Sequence, residues 1–270
     1  MKICMIGTGY VGLVSGTCFA DIGHQVYCVD KDLSKINQLN SGISPIYEPG
    51  LDELIKKNHK AKRLYFTSDL KKAISISDII FICVGTPNIK GSLKVDLSFV
   101  FKCTKEILAI TKKKKIIVTK STVPIGTGDQ IENIIKKKKK LFSVISNPEF
   151  LREGEAIRDF RYPDRIIIGS NSKNEFKTMK KLYSPLINKG AKFFTTSRRG
   201  AELIKYAANA FLATKITFIN EIANLCERSG INVKDIALGI GSDTRIGSRF
   251  LRPGPAYGGS CFPKDTKGLV

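Results

Sequence analysis

The 270 residues carry 45 Lys and Arg against 24 Asp and Glu, a formal charge of +21, with seven cysteines and no tryptophan. A chain of this length buries a substantial core, and an odd cysteine count without CxxC or paired Cys/His spacing excludes a disulfide-stapled miniature fold or a zinc module and reads as reduced thiols. Met1 leads directly into KICMIGTGYVG, too short an apolar stretch for a signal-peptide core, and no apolar run approaches a membrane span, so a cytoplasmic protein with no membrane partner is expected.

The charge raises the question of a nucleic-acid partner. TKKKKI at 111–116 and IKKKKKL at 135–141 each fall just before a strand-like apolar segment, where a helix end or loop is solvated. Their placement reads as surface, and no nucleic-acid partner is expected.

Strand-length runs rich in β-branched residues recur along the chain: KICMIG (2–7), QVYCVD (25–30), DIIFICV (78–84), KIIVT (115–119), LFSVIS (141–146) and RIIIG (165–169). Segments 11–22, 97–110 and 174–183 read as helices between them. This alternation predicts an α/β fold with an open, doubly wound parallel sheet.

The first strand runs into GTGYVG, which places Gly7, Gly9 and Gly12 in the G-x-G-x-x-G spacing at the opening of a helix. Gly7 turns tightly, Gly9 admits a pyrophosphate close to the backbone, and Gly12 lets helix and strand pack. Asp30 ends the next strand, where a carboxylate accepts hydrogen bonds from ribose hydroxyls and repels a 2′-phosphate, favouring NAD as cofactor. Two further loops follow strands, VGTPN (84–88) and KSTVPIGT (120–127). In them Gly85, Thr86 and Pro87 form a rigid turn, Ser121 and Thr122 offer hydroxyls, and Pro124 is placed to start a helix.

NPEFLREG (147–154) carries Glu149 and Glu153 four apart, on one side if the segment is helical, where two acids can divide acid and base work. From Arg199 the pattern becomes one helix of about thirty residues, about 45 Å long, with Gly230 as its stop. It begins a second, helical region, so the expected organisation is a dinucleotide-binding domain over 1–198 and a helical region over 199–270. Lys205 and Asn209, one turn apart in a mostly apolar stretch, are costly to bury unless paired and could converge on a developing oxyanion.

GGSCFPKD (258–265) sets Cys261 after two glycines and just before a helix start, where it would feel that helix's positive end. Asp265, four positions on, could orient a base or a water. A cysteine nucleophile beside an NAD site suggests one chemistry: an aldehyde captured as a thiohemiacetal is oxidised to a thioester that water cleaves, taking an alcohol to an acid in four electrons.

The segments MIGTGYVGLVSGTCFADIGHQVYCVD, PIYEPGL, KSTVPIGTG, NPEFLREGEAIRDF, AELIKYAANAFLATKITFINE and DTRIGSRFLRPGPAYGGSCFPKD resemble, in colinear order over most of residues 1–268, the UDP-glucose/GDP-mannose dehydrogenase family. The resemblance implies a Rossmann-like domain followed by a long helix and a helical dimerisation region, NAD as cofactor, and a homodimer. It also implies double oxidation of the C6 alcohol of UDP-glucose to UDP-glucuronate. The alternatives are a dehydrogenase of another nucleotide sugar of the GDP-mannose type and a non-catalytic NAD-binding fragment. YPDRIIIG and GPAYGGSCFPKD look more like the glucose branch.

By the same resemblance Cys261 is the nucleophile and Lys205 and Asn209 hold the C6 oxygen. Glu153, Asp265 and Thr122 serve proton transfer and the hydrolytic water, with Glu149 in support. Gly7, Gly9, Tyr10, Val11, Gly12, Asp30, Lys35, Thr86, Thr122 and Glu153 align with cofactor contacts. Phe150, Leu151, Glu153, Lys205, Asn209, Tyr257 and Gly258 lie near the nucleotide sugar, which Arg245 reaches from the neighbouring subunit. No metal is implied. Members of the family usually continue into a second Rossmann-like domain that grips the uridine diphosphate. A chain ending at Val270 is therefore expected to lack that domain, keeping the NAD-domain fold and the helical dimer core with weak or absent turnover.

Overall fold

The computed structural model describes residues 1–259 and 261–269. The chain forms two compact units, one from Met1–Thr86 and Val95–Leu203, the other from Pro87–Lys94 and Ile204–Val270.

The first unit is built on one sheet of eight strands: β1 (Lys2–Ile6), β2 (Gln25–Val29), β3 (Leu64–Thr67), β4 (Ile79–Ile82), β5 (Lys115–Thr119), β6 (Phe142–Ser146), β7 (Arg165–Gly169) and β8 (Lys192–Thr196). Their order is β3-β2-β1-β4-β5-β6-β7-β8. Between and beside the strands lie α1 (Tyr10–Asp21), α2 (Leu33–Asn40), α3 (Leu51–Lys60), α4 (Leu70–Ile76), α5 (Ser98–Ile110), α6 (Thr127–Ile135), α7 (Ala156–Arg161), α8 (Lys173–Leu182) and α9 (Ser184–Ile187). Successive β1 residues point to opposite faces, as the pleat requires: Ile3 and Met5 join one apolar cluster with Leu13, Phe19 and Phe160, while Cys4 and Ile6 join another with Ile74, Ile107 and Ile131.

The sheet departs from the all-parallel one that alternation predicts, because β6 and β7 meet antiparallel through Ser146 and Gly169. The register pairs the last residue of each strand, so β7 runs back toward the end where β6 stops and finishes there. Strands β3 and β8 lie at the two edges of the sheet, one only four residues long and the other largely exposed, and neither shows a strong apolar run. Of the two lysine runs, the lysines at 136–140 are exposed as expected, and the first run is only partly so. Lys112, Lys113 and Lys114 are exposed, but Lys115 is buried in β5, and its ammonium donates to the carbonyls of Ser75 at 3.1 Å and of Ser77.

One 32-residue helix, α10 (Arg198–Ser229), contains the boundary between the units. It ends at Gly230, which takes a left-handed φ of 67° and so closes the helix without a Cβ penalty. Its first turn is pinned to α6: Arg198 is only 5% exposed and donates to Asp129 at 2.8 Å and to Glu132. In the second unit α11 (Val233–Gly241) and α12 (Phe262–Leu269) follow. Tyr206, Ala213, Ile219 and Cys226 of α10 are buried, while Phe211, Phe218 and Leu225, seven apart, are exposed. Among the described residues no helix is long and apolar enough to cross a membrane, and no group of three or more His, Cys, Asp or Glu is placed to hold a metal.

Candidate active site

The sheet order reverses direction between β1 and β4, and in folds of this kind the crevice outside the strand ends at such a point takes the ligand. Gly7 has a φ of 100°, and a Cβ there would meet the Cys83 carbonyl oxygen at 2.8 Å. A Cβ on Gly12 would meet the Gly7 carbonyl oxygen at 2.0 Å. Both positions therefore need glycine for packing. Gly9 differs, since nothing lies within 4 Å of where its Cβ would be, and as the N-cap of α1 it makes no side-chain cap. The result is open space over the uncapped N–H groups of a helix start, which fits a dinucleotide pyrophosphate.

Asp30 closes one side of this loop. Its carboxylate accepts from the Thr8 N–H at 2.9 Å, the Thr8 hydroxyl at 2.7 Å and the Asp32 N–H at 3.1 Å. Burial works against its charge, but these hydrogen bonds and the nearby Lys35 ammonium outweigh it and hold the carboxyl below its ordinary range. On the other side, the Thr86 hydroxyl donates to the Thr122 carbonyl at 2.8 Å and the Ser121 hydroxyl to the Val84 carbonyl at 2.7 Å. The loops after β1, β4 and β5 thus form one rim, with Val11 half-buried at the head of α1. Pro124 does not start a helix, as α6 begins at Thr127. Its carbonyl instead accepts the Thr127 hydroxyl at 2.6 Å, and the N–H groups of Gly126 and Gly128 donate to Glu202 at 2.7 and 2.8 Å.

The segment after β6 is a loop, so Glu149 and Glu153 do not share a helical face. Glu149 is buried and accepts the Leu151 N–H at 2.6 Å, whereas Glu153 is exposed. The Arg165 guanidinium lies 4.0 Å from the centre of the Phe150 ring. Behind the loop, Asn147 accepts from Tyr183 at 2.6 Å and donates to the Ile167 carbonyl at 2.9 Å. Lys120, 4% exposed, reaches Asn147 at 3.5 Å. Burial pushes the nearby Cys83 thiol up to about 12, with Lys120 opposing and Glu149 adding to the shift.

In the helical unit, Lys205 and Asn209 are 4% and 7% exposed. The Asn209 amide donates to Asp265 at 2.6 Å, and the Lys264 ammonium donates to the other oxygen of that fully buried carboxylate. The Cys261 carbonyl accepts the Asp265 N–H at 2.8 Å, which sets the cysteine at the head of α12. Six cysteines are buried, but Cys261 is exposed. Phe262, next to it, meets the rings of Phe250 and Tyr257 at 6.1 and 6.4 Å. Phe250 holds a φ of 65°, a left-handed conformation rare for an aromatic residue. Tyr257 also lines a cavity of about 370 Å³ with Thr214, Phe218 and Thr266, while Gly258 is exposed. Arg245 is exposed and its guanidinium folds onto Asp243 at 2.6 Å.

The sequence reading missed Thr8, Lys120, Asn147, Glu202 and Phe250. Lys120 and Asn147 each directly follow a strand, a position that could have singled them out.

Residues 1–187 match the NAD binding domain of the UDP-glucose/GDP-mannose dehydrogenase family, and residues 199–270 match its central domain. The chain is 58% identical to a UDP-glucose 6-dehydrogenase of Rhizobium meliloti (strain 1021), aligned over 100% of this chain and 63% of that protein. It is 53% identical to a UDP-glucose 6-dehydrogenase of Bacillus subtilis (strain 168), over 100% of this chain and 58% of that one. A solved UDP-glucose dehydrogenase from Pyrobaculum islandicum superposes with a TM-score of 0.93 at 37% identity, covering 99% of this chain and 62% of that one. The chain thus spans about three fifths of the length of the curated relatives it matches. With both of its family domains matched in order and this likeness running over the full chain, the chain belongs to the UDP-glucose/GDP-mannose dehydrogenase family.

Proposed function

We infer that the chain carries the catalytic apparatus for NAD-dependent oxidation of UDP-glucose to UDP-glucuronate. The observation that carries this reading is Cys261, the one exposed thiol among the cysteines, heading α12 with Asp265 bound to Asn209 beneath it.

Bound NAD supplies a hydride acceptor, used twice per sugar. Gly7, Gly9, Gly12, Tyr10 and Val11 would hold its pyrophosphate, Asp30 its ribose, with Lys35, Thr86 and Thr122 around it. Loss of a hydride and a hydroxyl proton turns the C6 alcohol into an aldehyde, and the Cys261 sulfur then bonds to C6. Lys205 and Asn209 hold the resulting oxygen. Asp265 takes one N–H of the Asn209 amide and leaves the second for this purpose. Loss of the second hydride from C6 gives a thioester. Water adds to it, the carbon–sulfur bond breaks, and the thiol returns as the carboxylate leaves. Glu153, Asp265 and Thr122 would move the protons, with Glu149 holding its loop in place. Phe150, Leu151, Tyr257 and Gly258 would flank the sugar, and Arg245 would reach it from a second copy. The exposed stripe of Phe211, Phe218 and Leu225 supports pairing of two helical units.

The test is a count of NADH formed when UDP-glucose is limiting. Two equivalents per sugar, with UDP-glucuronate as product, is the expected result. One equivalent, or turnover of GDP-mannose in preference, would contradict it, and no NADH at high enzyme concentration would favour a dinucleotide-binding role without catalysis.

A further inference from the structure

Glu48, in the segment PIYEPGL, has no part in the chemistry above, yet its carboxylate is 6% exposed. The Tyr10 phenol donates to it. The Gly154 N–H is shared between the Tyr10 oxygen at 2.7 Å and Glu48 Oε2 at 2.9 Å, and the Ile157 N–H donates to Glu48 Oε1 at 3.2 Å. One carboxylate therefore joins three distant segments of the sheet unit: the head of α1, its own loop, and the loop that carries Glu149, Phe150, Leu151 and Glu153. Burial, and next the bond to Glu48, push the Tyr10 phenol well above its ordinary range, so it stays a donor. Gly154 has a φ of 86°, a conformation that suits glycine at this contact.

The two ends of this chain of contacts are both placed for function. Tyr10 directly follows Gly9 at the open cradle, and Gly154 directly follows Glu153. Capping α7 needs only the Ile157 N–H on a carboxylate, since Gly154 lies before the helix's first residues. The Tyr10 hydroxyl, which gives a proton to Glu48 and accepts one from Gly154, adds nothing to that cap, and a phenylalanine ring would fill the same space.

We propose that Glu48 is a positioning residue, relaying occupancy of the dinucleotide cradle from Tyr10 to Gly154, so that cofactor binding orders the loop presenting Glu153. The proposal rests on the reading that the cradle binds NAD.

Hydrogen exchange of the backbone amides, with and without saturating NAD, separates the two. In the parent protein NAD is expected to slow exchange at residues 7–12 and also at 150–158. In Glu48→Gln the slowing at 7–12 persists, while the NAD-dependent slowing at 150–158 falls at least about fivefold. Tyr10→Phe, which leaves the carboxylate in place, gives the same loss and decides the matter should Glu48→Gln fail to fold. A plain cap would speed exchange at 150–158 equally with and without NAD, and an undiminished NAD effect there in the variants overturns the proposal. An NAD effect at 7–12 without one at 150–158 in the parent overturns it too, leaving the cofactor reading intact. No NAD effect at 7–12 overturns both.

Discussion

Replacing Cys261 with alanine is expected to lower the rate of UDP-glucuronate formation at least about a thousandfold, about 4 kcal/mol in the barrier, while NAD affinity stays within about twofold of the parent. The asymmetry follows from where the residue sits. Its side chain is exposed at the head of α12 and its backbone carbonyl accepts the first helical hydrogen bond. Alanine keeps that bond, so α12 and the Asn209 to Asp265 contact survive, and only the sulfur is lost. On the proposed route, its loss leaves the aldehyde without a tether between the two hydride losses. Steady-state rates with product analysis, alongside NAD titration, read both halves. Release of uronate at the parent rate would rule the covalent route out.

Glu202→Ala is expected to cost about 3 kcal/mol of stability, measured by urea unfolding. The side chain is 3% exposed, and it accepts from the Gly126 and Gly128 N–H groups and from the Ser146 hydroxyl at 2.9 Å. Truncation strands two N–H donors at the head of α6 and the Ser146 hydroxyl at the end of β6, which alanine cannot satisfy. Burial raises the Glu202 carboxyl above its ordinary range, against the hydrogen bonds from Gly128, Gly126 and Ser146. A raised folded-state value means a stabilising contribution that is complete below the ordinary carboxylate range and is lost as pH rises through the folded value. The stability gap between the parent and Glu202→Gln therefore narrows as pH rises across that window, the opposite of what an acid held low, such as Asp129 beside Arg198 and Arg199, produces. A gap that widens instead would mean Glu202 is ionised at little cost.

Much of the sheet unit was legible because its signals are local. A glycine spacing, a β-branched run and a helical period each lie within a dozen residues, so the G-x-G-x-x-G turn, six of the strands and α10 could be read directly. The acidic segment shares one face only if it is helical, and 147–154 forms no helix, so the spacing of Glu149 and Glu153 does not set their faces. What remained hidden is long-range. Glu48 answers donors 38, 106 and 109 residues away, and Glu202 answers Gly126 and Gly128 across 76 and 74 residues. No window along the chain contains both partners. The reversed β7 is of the same kind, since its pairing joins Ser146 to Gly169, 23 residues further on.

The covalent tether is tested most directly by quenching the reaction in acid during turnover of UDP-glucose with NAD, then mapping any adduct by peptide mass spectrometry. The expected result is a sugar-nucleotide acyl group on the peptide holding Cys261 and on no other cysteine peptide. Uronate forming while Cys261 stays unmodified at every quench time, or an adduct on another residue, would contradict it.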